Sequence, residues 1–107
     1  MDCLKKIEAA LREVGDNVWH YYAPPETEAP YLVWAESGQA DAVYGDGRME
    51  CQAVAGTVDL FTFEESDPLF TSVQNALQAA DIAWKYSSTQ YERPTGLIHH
   101  EWRWEVG

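Results

Sequence analysis

Basic side chains are scarce in this sequence. Only 7 Lys and Arg stand against 18 Asp and Glu, for a formal net charge of −11. A protein that grips a phosphate backbone needs clustered cations to displace counterions, and one that docks on anionic lipid needs them for attraction. Both classes are disfavoured. Cysteine is scarcer still, with Cys3 and Cys51 alone. Their spacing suggests neither a metal site nor a disulfide framework, so they read as free thiols in a reducing compartment. No apolar run approaches the roughly 20 residues that span a bilayer, so no membrane partner is expected. Residues 1–6 (Met-Asp-Cys-Leu-Lys-Lys) lack the basic-then-apolar pattern of a secretory signal. The expected place of synthesis is the cytoplasm. No Walker, nucleophile-elbow or zinc motif occurs, and neither does an internal repeat or low-complexity tract.

Aromatic residues are what the sequence has in plenty. The 5 Trp, 6 Tyr and 3 Phe are too many for the core of a 107-residue chain, so some should meet a partner at the surface. The length and the 46% hydrophobic content fit one domain, residues 1–107, which buries about two thirds of its unfolded surface. The acidity reads first as solubility. It also suits a surface that lets DNA pass without sticking, whereas the scatter of the acids argues against nucleic-acid mimicry.

Residues 95–106 (Thr-Gly-Leu-Ile-His-His-Glu-Trp-Arg-Trp-Glu-Val) alternate cleanly. Ile98, His100, Trp102, Trp104 and Val106 share one face of a strand, and Leu97, His99, Glu101, Arg103 and Glu105 the other. The two indoles require a broad surface to pack on. Residues 2–14 predict a helix, with Leu4, Ile7, Leu11 and Val14 as its stripe, Asp2 as N-cap and Gly15 as C′ residue. Residues 18–22 (Val-Trp-His-Tyr-Tyr) predict a strand that stops at Pro24 and Pro25. Residues 30–36 predict a second strand, apolar on both faces and therefore central or covered.

Residues 37–48 hold three glycines and two aspartates and predict a mobile loop, over about 37–50. A longer strand follows from Met49 to Phe63. Val54, Gly56, Val58 and Leu60 lie on its core side, and Ala55, Thr57, Asp59, Phe61 and Phe63 opposite. Asp67 and Pro68 open a second helix as N-cap and N1, with Leu69, Val73, Ala76, Leu77 and Ala80 as its stripe. Ile82, Trp84 and Tyr86 alternate as a strand, and a five-residue turn over 92–96 leads into the last one. The fold class is α+β, in the order α-β-β-β-α-β-β, with both helices on one face of a mostly antiparallel sheet of about five strands.

Catalytic readings are weak. His99, His100 and Glu101 invite a metal, but adjacent strand residues point to opposite faces, so the two imidazoles cannot share an ion. Glu64, Glu65 and Asp67 suit a helix N-terminus on electrostatic grounds alone. Cys51 has no activating partner by spacing. His20 alone carries no argument, and Asp59 reads as an outward strand residue. No enzyme, cofactor or metal is expected.

Taken in order, the segments resemble a family of tailed-phage virion proteins. They are the amphipathic helix, residues 29–34 (Ala-Pro-Tyr-Leu-Val-Trp), the Gly/Asp-rich loop, residues 56–62 (Gly-Thr-Val-Asp-Leu-Phe-Thr), Asp67-Pro68, Trp84, and the closing Tyr91-Glu92 and Thr95-to-Trp102 run with Glu105-Val106. The family is that of small tail-terminator or tail-completion proteins, minor tail or head–tail joining components of phages and prophages of low-GC Gram-positive bacteria. The resemblance covers nearly the whole chain. It implies a subunit of a hexameric ring that caps the tail tube, stops its polymerisation and joins the head connector. DNA would pass through without specific binding, and the protein would reside in the virion after synthesis in the host cytoplasm. It implies no catalytic residues. Phe61, Phe63, Asp59, Tyr44 and Arg48 are the candidate subunit interface. From another class, a small acidic binding module of immunity-protein or antitoxin type fits the same size and charge.

Overall fold

In a computed structural model, which describes residues 2–39 and 54–106, the first apolar stripe becomes helix α1 (Asp2–Arg12). Ile7, Ala10 and Leu11 are buried on one side, and Lys5, Lys6 and Arg12 face water. The helix stops two residues short of the predicted end. Glu13 and Val14 donate to the carbonyls of Ala10 and Leu11, three residues back, which tightens the last turn. Gly15 is not in the left-handed region that a glycine C′ cap uses.

β1 (Val18–His20) is shorter than predicted. Tyr21 turns the chain out of the strand with φ 77°, and its N–H donates to the Trp34 carbonyl. β2 (Tyr31–Gln39) runs beyond the predicted 30–36, so Ser37, Gly38 and Gln39 belong to a strand rather than to the loop. A bulge between Glu36 and Gly38 absorbs the irregularity. The mobility expected of 37–50 otherwise falls on residues outside those described, as do Tyr44, Arg48, Cys51 and the predicted strand start at Met49. β3 (Val54–Thr62) ends one residue before Phe63.

Helix α2 (Leu69–Ala79) starts as its sequence predicts. Pro68 already has helical dihedrals (φ −58°, ψ −21°), and the capping oxygen comes from Asp67, whose Oδ1 accepts the Leu69 N–H at 2.9 Å. The other Asp67 oxygen accepts the Thr62 hydroxyl at 2.6 Å, tying the helix start to the end of β3. β4 (Ala83–Glu92) and β5 (Leu97–Val106) form the terminal hairpin. Glu92 remains in β4, so the loop has four residues, and Gly96 closes it at φ 76° with its N–H on the Glu92 carbonyl.

The five strands form one sheet in the order β1-β2-β3-β5-β4. All pairs are antiparallel except β1 with β2, which is parallel, so the connection over 21–30 is a crossover rather than a hairpin. Both helices pack on one face, which makes the fold α+β in the predicted order. On that face Val54, Val58 and Leu60 alternate into the core with His100, Trp102, Trp104 and Val106. Trp102 donates its indole N–H to Gln74 of α2 at 3.0 Å. Trp104 lies directly across from Gly56, where a Cβ would stand 2.3 Å from its ring and 2.2 Å from the Ala35 carbonyl. Only glycine leaves room for that indole.

Candidate functional site

With both helices on one side, the odd-numbered positions of β3 and β5 are left on the other. The register arranges them in cross-strand rows. Tyr31, Phe61, His99 and Gln90 make one row, and Val33, Asp59, Glu101 and Ser88 the next. Ala35, Thr57, Arg103 and Lys85 make a third. The open face thus passes from aromatic to acidic to basic over a few residues of strand.

The aromatic row is a stack. The Tyr31 and Phe61 rings lie 4.8 Å apart and the Phe61 and His99 rings 4.3 Å apart, both near parallel. Phe61 is therefore flanked on both sides by aromatic side chains of its own sheet. Phe63, just past the end of β3, is 62% exposed. It borders a depression of about 390 Å³ with Thr27, Glu28, Ala29, Tyr31 and Leu97. Of the predicted interface residues, the structure thus brings Phe61 and Asp59 onto one face and leaves Phe63 free at its rim.

His99 sits between acids. Its Nε2 contacts Asp59 Oδ1 at 2.7 Å, a diagonal contact, because the residue directly opposite Asp59 is Glu101. Its Nδ1 lies 3.8 Å from Glu92 Oε2. The hydrogen bond to Asp59 holds the imidazole above its ordinary pKa, against the opposing effect of burial, and the charges of Asp59, Glu92 and Glu101 add to it. One ligand atom from each of Asp59, His99 and Glu101 lies within 4.8 Å of the others. His-x-Glu on a strand is a local signal for two groups on one face. Asp59, 40 residues away, was not readable as their partner.

His100 points the opposite way, as the alternation requires. It is buried against Phe70 and Trp102, and its Nδ1 pairs with the Thr89 hydroxyl at 2.8 Å, which in turn meets the Tyr86 hydroxyl. Burial, with the neighbouring His99 second, pushes its pKa down, and Asp67 opposes. It is a satisfied core histidine. Asp67 is occupied as a cap, and Glu64 and Glu65 are exposed.

A second cluster had no signal in the sequence. The parallel β1–β2 register sets His20 opposite Trp34, and their rings stack at 3.8 Å. The Tyr21 ring stacks on the other side of His20, also at 3.8 Å. Glu36 receives both polar ends, His20 Nε2 at 2.7 Å and the Tyr21 hydroxyl. Burial raises the Glu36 pKa, but the two hydrogen bonds outweigh it and leave the carboxyl below its ordinary value. Tyr21 is raised by the same bond to Glu36. The cluster fastens the short edge strand to β2 and explains the left-handed Tyr21.

No family model matches this sequence, and no curated protein matches it significantly.

Proposed function

We propose that the chain is a non-enzymatic assembly subunit that builds a ring through its open sheet face, the role of a tail terminator or head–tail joining protein in a phage virion. The observation that carries the reading is the one-sided placement of the helices. It leaves an aromatic row and the exposed Phe63 on a face that neither helix covers. An exposed aromatic side chain such as Phe63, beside a half-buried aromatic row, is the kind of surface that protein contacts use. The rows of acid and base beside it would fix the register of a neighbour. β4, a ten-residue strand at the edge of the described sheet, offers a second surface for heterologous contacts that close a ring.

The ordered segments that resemble tail-terminator proteins point the same way. A net charge of −11 suits a pore through which DNA slides without being held. The partners in this reading are further copies of the chain, six in a ring, with the tail tube below and the connector above. The described residues include no helix long and apolar enough to cross a membrane.

Sedimentation velocity and mass photometry, with and without purified tail tube, test the proposal. Rings, or caps on tube ends, are the expected species. A strict monomer that binds no tube end under any condition overturns it. Capture of a single basic toxin at one-to-one stoichiometry would favour the immunity-protein reading instead.

A further inference from the structure

We propose that Asp59, His99 and Glu101 bind one divalent transition-metal ion, of the Zn²⁺ type, on the open face of the sheet. His99 and Glu101 are two apart on β5 and so share a face. Asp59 stands directly opposite Glu101 on β3. A strand pair thus presents three half-buried ligands from two neighbouring backbones. Their ligand atoms fall within 4.8 Å of one another. Bonds of about 2.0–2.1 Å in tetrahedral geometry require separations of roughly 3.3 Å, so the three ligand atoms would draw together around the ion.

Three further observations favour a cation here. Asp59 and Glu101 are like charges directly opposite each other, a pairing that destabilises a sheet. Both are partly buried, and the Glu101 carboxylate accepts no hydrogen bond from the described residues. The surroundings of His99 match those of a metal-bound imidazole. Nε2 faces the ligand cluster, Nδ1 faces the Glu92 carboxylate at 3.8 Å, and Phe61 stacks on the ring and fixes its plane. At 3.8 Å Glu92 lies beyond hydrogen-bond reach and acts on the ring through its charge, which favours a cationic or cation-bound imidazole. One imidazole with two carboxylates suits Zn²⁺ and its neighbours, whereas Mg²⁺ and Ca²⁺ favour all-oxygen sets. The site stands whether or not the chain builds rings.

Titration calorimetry of the full chain with Zn²⁺, with Co²⁺ absorption as a second readout, tests the assignment. One saturable equivalent is expected, with no response to Mg²⁺. Glu101→Gln and Asp59→Asn should each weaken binding at least tenfold while keeping the wild-type circular dichroism. Cys3→Ser with Cys51→Ser should leave the affinity unchanged. The proposal is overturned if no saturable equivalent binds, if Glu101→Gln binds as tightly as wild type, or if the cysteine pair carries the uptake.

Discussion

Gly56 shows how one missing atom group sets the core. Trp104 lies on it and the Ala35 carbonyl flanks it, so a methyl has backbone on one side and a buried indole on the other. Neither yields cheaply. Gly56→Ala is expected to cost about 3 kcal/mol, the upper part of the usual overpacking range, in urea unfolding. An unchanged midpoint would show that Trp104 can move aside. Glu36 is the residue whose charge should be felt in pH. Its folded pKa lies below the ordinary 4.5, so the unfolded chain takes up the proton first as pH falls. Its contribution is therefore complete above pH 4.5 and is lost as pH falls through the lower folded value. Glu36→Gln should flatten the acid limb of the stability profile there, while wild type falls more steeply. Identical acid limbs would refute the link.

Among the elements, the start of α2 rests on one side chain. Asp67 caps it and also holds the buried Thr62 hydroxyl. Asp67→Ala removes a cap and strands that hydroxyl, for an expected loss of about 2 kcal/mol, and Asp67→Asn should lose less because its oxygen still caps. Thermal unfolding of the two variants gives the order. This element was legible in the sequence because Asp-Pro before an apolar stripe is a local code. The faces of β3 and β5 were legible for the same reason, since alternation needs no knowledge of neighbours. The parallel partner of β1 was not. Val18 meets Leu32 across a connection with no helix, and nothing within either segment states that register. The end of β1 at His20 was hidden too, because it depends on Tyr21 reaching Glu36 and the Trp34 carbonyl. Asp59 could be placed outward, but its contact with His99 exists only because β5 inserts between β3 and β4.

For the whole molecule, the helices divide the sheet into a face that stabilises and a face that is free to act. Phe63→Ser should therefore change monomer stability by no more than about 0.5 kcal/mol, as is usual for exposed sites, yet weaken any assembly formed through the open face. Chemical unfolding and sedimentation velocity on the same sample separate the two effects. Equal assembly by variant and wild type would move the contact elsewhere. The strand order has one more consequence, in time rather than space. The β4–β5 hairpin closes across four residues, but its union with β3 joins positions 36 to 52 apart, from Thr62–Ile98 to Val54–Val106 (98 − 62 and 106 − 54). Contacts this distant slow folding. A hairpin that formed first would carry Trp102 and Trp104 with one side bare, a state prone to aggregate. Trp104 meets Trp84 within the hairpin but Gly56 only after docking, so full burial of its indole waits for β3.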